Sequence, residues 1–301
     1  MHLLVLGANG LLGSNVTTAA RNRGWTVTGT YHSQQPTFDI SLHQLDITDT
    51  DAVRDIISKA APDWIVNCAA MTDVDGCEET PERAREVNAR APGDIAAYCA
   101  DRSIRLLHVS TDYVFDGAEK GTYDENASVN PIQEYGASKL AGERAVTDTN
   151  TAALIARLSF VYGVHQSTDQ LTGFPAWVRG QLIEGERTPL FTDQHVTPTR
   201  AGQAAETFCA LIEADESGLF HIAACSCVTP YEFGAEIGRR LNADDALLME
   251  GSLSAVDRAA ERPMQTCLDV GHVEERLEKV QPTFEEDLDA IAGVVAKRAV
   301  D

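Results

Sequence analysis

The chain has 301 residues, 44% of them hydrophobic, with no long polar tract, so it can bury a large core as one big domain or two coupled ones. Its 46 acidic and 24 basic residues give a formal net charge of -22. That balance excludes nucleic acid and anionic membrane surfaces as partners, since both demand clustered Lys and Arg. The acidic residues are dispersed, and the charge reads as a solvated skin over an ordinary core.

The opening "MHLLVLGANG" has an apolar run far too short for a membrane span, lacks a basic leader and passes straight into a glycine turn. It reads as a first strand, and a cytoplasmic protein is expected. "HLLVLG" is the continuous apolar run of a strand covered on both faces of a parallel sheet, and "LLGSNVTTAARNRG" is a helix stopped by Gly24. Then come the strand "WTVTGTY", a short edge strand ahead of "QLDIT", the helix "TDTDAVRDIISKAAP" and the strand "DWIVNCAA". The long helix "PERAREVNARAPGDIAAYCADRS" and the strand "RLLHVST" follow. Further on, "AALIARLSFVYG" and "GLFHIAA" read as strands with the helix "AGQAAETFCALIEA" between them, and "TFEEDLDAIAGVVAKR" as a last helix with its charged face to solvent. This alternation predicts an α/β fold, a doubly wound parallel sheet of the Rossmann type with right-handed crossovers. Segments 164–199 and 225–301 are shorter elements broken by Pro and Gly. They predict a smaller, partly discontinuous C-terminal lobe on the substrate side, with 1–163 as the dinucleotide-binding domain and 200–224 returning to it.

Seven cysteines form an odd, scattered set, which fits reduced thiols better than a disulfide framework. Only Cys225 and Cys227 are close, and without further ligands nearby they read as two buried small residues; no metal is expected.

"GANGLLG" places Gly7, Gly10 and Gly13 between a strand and a helix, with Asn9, Leu11 and Leu12 in the same turn. A tight turn, a close approach of backbone to pyrophosphate and close helix packing are what dinucleotide binding asks of such glycines. At the end of the second strand, where an acidic residue would select NAD(H), the chain has Thr30, Tyr31, His32 and Ser33. This favours NADP(H) and leaves NAD(H) possible, though no arginine stands beside them in sequence to clamp a phosphate. Asp46 and Ile47, after the edge strand, are candidates for the adenine end of the site.

Lysine is scarce, at positions 59, 120, 139, 279 and 297, yet Lys139 stands four residues after Tyr135. Asn130 and Pro131 read as a helix start, which puts Tyr135 and Lys139 one above the other on one face. A phenol titrates near 10, so a cation one turn along is a means of lowering it. In "HVSTDYVFDG", Ser110 and Thr111 end a strand, where ligands bind in open α/β sheets, and a hydroxyl there can bond a substrate carbonyl.

"GANGLLG", "NCAAMTDVDGCE", "VNARAP", "STDYVFDG", "YGASKLAGE", "RLSFVYG" and "DQHVTPT" fall in the order of one family. The chain resembles an extended short-chain dehydrogenase/reductase of the dTDP-4-dehydrorhamnose reductase family over nearly its whole length. The resemblance implies Thr111, Tyr135 and Lys139 as the catalytic trio and Asp112 and Tyr113 beside the sugar. It also implies Ala69, Ala70 and Thr72 along the cofactor's path, with Tyr135 and Lys139 touching it too. Arg262 is a candidate for the substrate's diphosphate, with a surface ion pair as the alternative. Two departures touch the substrate side: "ERPMQTCLD" lacks the family's Asn-Ser pair, and Phe160 stands where tryptophan is common. The implied partner is a nucleotide-sugar substrate, the implied assembly a homodimer. Other readings are a nucleotide-sugar epimerase or dehydratase, and a non-catalytic subunit like the relatives that bind methionine adenosyltransferase. High acidity with few lysines also suggests a salt-loving cytosol. We therefore expect the melting temperature to rise as potassium chloride is added; a flat or falling melting curve removes that hypothesis.

Overall fold

In the computed structural model, which describes residues 1–296, strand and helix alternate from the first residues onward. The first half runs β1 (His2–Leu6), α1 (Leu11–Asn22), β2 (Thr26–Tyr31), β3 (Ser41–Gln44), α2 (Thr50–Ala60) and β4 (Trp64–Asn67). It continues with α3 (Val74–Glu79), α4 (Pro81–Arg85), α5 (Ala91–Ala100), β5 (Arg105–Thr111), α6 (Glu134–Thr149) and β6 (Leu154–Leu158). After these come β7 (Val161–His165), β8 (Gln170–Thr172), α7 (Phe174–Glu184), β9 (Thr188–Phe191), β10 (Thr199–Arg200), α8 (Ala201–Glu213) and β11 (Gly218–His221). The last elements are α9 (Pro230–Leu241), β12 (Leu248–Gly251), α10 (Gly271–Leu277), α11 (Phe284–Asp289) and α12 (Ala292–Val295). Among the described residues no helix is long and apolar enough to cross a membrane.

A seven-stranded sheet in the order β11-β6-β5-β4-β1-β2-β3, parallel throughout, forms the centre, as the alternating pattern predicts. Its central strands are buried on both faces because helices cover both. One core layer joins Leu3, Val5, Val66, Leu107 and Ala156 to Val16 of α1 and Phe208 of α8. The opposite layer joins Leu4, Leu6, Ile65, Leu106 and Ile155 to Ile57 of α2 and Ile95 of α5. A third core, built from Tyr162, Val178, Leu190, Phe233, Ile237, Phe284 and Leu288, gathers elements that follow β6. The elements of this core lie on either side of α8 and β11 in sequence.

The structure departs from the sequence pattern in several places, each with a local cause. "AALIARLSFVYG" is two strands, because Phe160 takes a left-handed φ of 46° and turns the chain out of the sheet between β6 and β7. The Tyr135 helix starts at Glu134, not at Asn130–Pro131, because the Gln133 side chain accepts the Gly136 N–H and caps it there. The long helix 81–103 is interrupted by a π-turn at Glu86–Arg90, just before Pro92, whose missing N–H breaks the helical ladder. That turn presents Asn88, which holds the loop after β4 through Met71 N and O at 2.9 and 3.0 Å and reaches Ser138 Oγ of α6 at 3.1 Å. The final helix is split at Ala290–Ile291, and its expected end at Arg298 lies outside the described residues.

The cysteines require a second correction. Cys227 and Cys267 form a disulfide, and neither Cys225 nor Cys227 is buried. The pairing crosses 40 residues, and what brings the ends together is a set of short contacts, Val196 opposite Val228 and His195 opposite Gln265, that have no local sequence signature.

One ion pair lies fully inside the sheet-helix interface. Arg157 of β6 donates from Nε and Nη2 to both carboxylate oxygens of Glu143 of α6, at 2.8 and 2.7 Å. Side-chain exposure is only 4% and 7%, so removing one partner strands a charge. Glu143→Ala is expected to cost about 3–5 kcal/mol in denaturant unfolding, and a loss below about 1 kcal/mol contradicts the burial described.

Candidate active site

Every strand of the central sheet ends at the same edge, and the candidate site lies along it. At the end of β1 the chain turns at Gly7, with φ 80°, and the Gly10 N–H closes the turn on the Gly7 carbonyl at 3.0 Å. A Cβ on Gly13 would collide with that same carbonyl, so α1 can approach β1 this closely only with glycine there. Gly10 caps α1 without any side-chain bond, and no acidic residue occupies the first turn. The N-terminus of α1 therefore keeps free backbone N–H groups and a positive end for an anion. Asn9 does not line the crevice; its carbonyl accepts the His165 ring N–H at 2.8 Å and anchors the turn to β7.

Three adjoining cavities follow the strand tips. A central one of about 480 Å³ is lined by Gly10, Leu11, Leu12 and Gly13 on one side and by Ala70, Thr72, Thr111, Asp112, Tyr113, Tyr135 and Lys139 on the other. A smaller one of about 310 Å³ shares Ala70 with it and is lined by Gly7, His32, Asp46, Ile47 and Ala69. Ser33 is exposed and lines neither. The third, about 550 Å³, shares Tyr113 and Phe160 with the central cavity and is lined by Trp177, Phe191, Arg258 and Arg262. An open helix N-terminus flanked by a pocket on each side fits a dinucleotide cofactor, with the β2 and β3 ends at one extreme and Tyr135 at the other.

Arg83 of α4, separated from β2 by two strands and two helices in sequence, lines the small cavity. It donates to Asp46 Oδ2 at 2.9 Å and to Glu86 Oε2 at 2.7 Å. Burial opposes ionisation of Asp46, but bonds from Thr48 and Arg83 overcome it and bring that carboxyl down to about 2. The arginine missing from the end of β2 thus arrives through the fold, and no spacing rule could have found it.

Tyr135 and Lys139 share one face of α6, and both line the central cavity. The Lys139 ammonium donates to the Val109 carbonyl at 2.6 Å rather than to the phenol. Burial lowers Lys139 to about 8, with Glu143 acting against it. Burial also pushes Tyr135 well above the ordinary phenol range, opposed by a contact with the Thr111 hydroxyl. The expectation that Lys139 makes the phenol more acidic is not met here, because desolvation outweighs it. Tyr135 is a neutral phenol, and so a proton donor. Beneath Lys139, His108 is fully buried and held neutral by burial and by that ammonium, with Nδ1 3.2 Å from Asn67 Nδ2.

Asp112 does not present a free carboxylate to the cavity: Ser159 Oγ donates to it at 2.7 Å and Thr111 Oγ1 at 3.1 Å. Burial raises it to about 6 while these hydroxyls pull the other way. Arg262 is spent on Asp75, two bonds at 2.7 and 3.3 Å, and on the Ala260 carbonyl. Arg258, which lies over the Phe191 ring at 5.1 Å, enters no ion pair among the described residues. Sequence reasoning missed Arg258, for it falls in no motif.

Residues 1–296 match the family described as RmlD substrate binding domain. A Haloferax volcanii protein named "Probable low-salt glycan biosynthesis reductase Agl14" is 52% identical over 291 residues, 97% of each chain. The dTDP-4-keto-6-deoxy-D-glucose reductase of Streptomyces niveus is 34% identical over 270 residues, 89% of this chain and 88% of that one. The crystal structure of dTDP-4-dehydrorhamnose reductase from Bacillus anthracis in complex with NADP superposes with a TM-score of 0.83 at 27% identity, covering 96% of this chain and 97% of that one. The chain belongs to the RmlD substrate binding domain family, the dTDP-4-dehydrorhamnose reductase branch of the extended short-chain dehydrogenase/reductases.

Proposed function

We propose that this protein reduces the C4 ketone of a nucleotide-linked 4-dehydro-6-deoxyhexose, as in the formation of dTDP-L-rhamnose, at the expense of a reduced nicotinamide dinucleotide. The observation that carries the reading is the convergence of Thr111, Tyr135 and Lys139 on a cavity whose opposite wall is the glycine-rich N-terminus of α1. The reductase names of its relatives and the NADP of the Bacillus anthracis structure support it.

When bound, the cofactor supplies a hydride. The N–H groups at Leu11, Leu12 and Gly13 would hold its pyrophosphate, and the cavity lined by His32, Asp46, Ile47 and Arg83 its adenosine end. Arg83 and the absence of a carboxylate after Thr30 favour NADPH over NADH, although Asp46 and Glu86 already share the arginine's charge. Lys139, buried and free of ion pairs among the described residues, would meet the nicotinamide-side ribose. Tyr135, kept neutral by burial, is the donor of the proton to the ketone oxygen, and Thr111 orients that oxygen. Segments 164–199 and 225–301 would hold the nucleotide and sugar in the cavity shared by Tyr113 and Phe160, with Arg258 better placed than the occupied Arg262 to meet a diphosphate. A cytoplasmic homodimer remains an expectation drawn from the sequence and its resemblance.

Tyr135→Phe is expected to lower kcat by about 100-fold or more while NADPH still binds, read by cofactor fluorescence. Full turnover in that variant removes Tyr135 from the mechanism. Assayed against a panel of nucleotide 4-ketosugars, the wild type should consume NADPH stoichiometrically; product formed without net NADPH loss would point to an epimerase or dehydratase instead.

A further inference from the structure

Directly behind Thr111 stands a carboxyl group for which the scheme above has no task. Asp112 is 2% exposed and begins the short 3-10 turn 112–114 at the end of β5. Its Oδ1 accepts from Thr111 Oγ1 at 3.1 Å and its Oδ2 from Ser159 Oγ at 2.7 Å. The buried Thr266 hydroxyl neighbours the same carboxyl from segment 264–268. The titratable groups facing it are Tyr113 in its own turn and Tyr135 on α6, both kept neutral by burial. Ser159 after β6 and Thr266 are uncharged, and among the described residues no cation pairs with Asp112. The group thus titrates in a shell of neutral hydroxyls, near 6 by virtue of its burial.

A threonine hydroxyl has a single proton to give. With Asp112 ionised, both carboxylate oxygens only accept, so Thr111 commits its proton to Oδ1 and turns lone pairs toward the cavity. A ketone oxygen is also an acceptor, and it finds no partner there. With Asp112 protonated, the carboxyl O–H can donate to Thr111 Oγ1, and the Thr111 proton is released toward the ketone. We propose that Asp112 is a positioning residue that acts on the reacting carbonyl through Thr111, its protonated form aiming the threonine proton at the substrate and its ionised form withdrawing it. The inference rests on the carbonyl-reductase reading of the site. It involves no net proton loss from Asp112, because the proton that ends on the product oxygen leaves Tyr135. An asparagine at this position imitates the protonated form, its amide N–H₂ donating to Thr111 and its carbonyl still accepting from Ser159.

The test is the pH dependence of kcat and KM, from acid to neutral pH, for wild type, Asp112→Asn, Thr111→Val and the double variant, with NADPH and a nucleotide 4-ketosugar. The expected wild-type kcat falls about tenfold per pH unit above a midpoint near 6. Asp112→Asn should lose the acid-to-neutral fall in kcat, Thr111→Val should be slow and flat, and the double variant should match Thr111→Val. An acid-to-neutral limb that survives in Asp112→Asn, or a penalty from Asp112→Asn that is undiminished without the Thr111 hydroxyl, overturns the proposal. A carbon-13 NMR titration of Asp112 in the ligand-free protein supplies a readout that needs no turnover. Thr111→Val should raise the Asp112 pKa, since it deletes a donor to the ionised form; an unchanged value overturns the coupling. Failure of the wild type to reduce any ketosugar at any pH would sink the reductase reading, which the NMR titration distinguishes from failure of this one.

Discussion

The pairing of β5 with β6, Thr111 opposite Leu158, decides where any chemistry in this molecule can occur. Side chains alternate across a strand, so a slip of one residue would turn Thr111 to the other face of the sheet and bring Ser110 or Asp112 in its place. The same register aims the Val109 carbonyl at the Lys139 ammonium, which draws α6 onto the sheet at the level of the cavity. The register is itself held by apolar layers on both faces, in which Leu107 and Leu106 of β5 belong to opposite cores. Packing therefore fixes the polar geometry, and the hydrogen bonds only refine it.

Doubly anionic ligands of the kind proposed would meet an electrostatic conflict in so acidic a protein, and the crevice resolves it locally. Of its arginines, Arg83 is shared between Asp46 and Glu86, and Arg262 is tied to Asp75. Lys139 and Arg258 are the lining cations left without carboxylate partners among the described residues. They sit in different cavities, one at the cofactor side and one beyond Tyr113. Backbone N–H groups at the start of α1 add positive potential that no titration can remove.

How much could be read from the chain alone depends on the distance over which each feature is encoded. The alternation of apolar runs and helical stretches, the glycine turn and the Tyr135–Lys139 spacing are local, and the fold and the shared face of α6 follow from them. The Phe160 turn, the cap at Gln133 and the π-turn before Pro92 are also local, but they hinge on one or two residues whose propensities are weak. The Cys227–Cys267 bridge and Arg83 beside β2 are non-local: each needs the tertiary path before the partners can be named. The electrostatics of Tyr135 were the hardest to foresee. Sequence spacing shows a cation one turn away but says nothing of burial, and burial is the larger influence.

Phe160 and Tyr113 form the partition between two cavities with different kinds of wall. On the cofactor side one wall is the glycine turn, where a Cβ at Gly13 would collide with the Gly7 carbonyl, and the other carries the side chains of Thr111, Tyr135 and Lys139. On the far side the wall is made of side chains such as Trp177, Phe191 and Gln194, carried on short elements. A substitution beyond that partition, at Trp177 or Phe191, can therefore reshape the far cavity without touching Thr111, Tyr135 or Lys139.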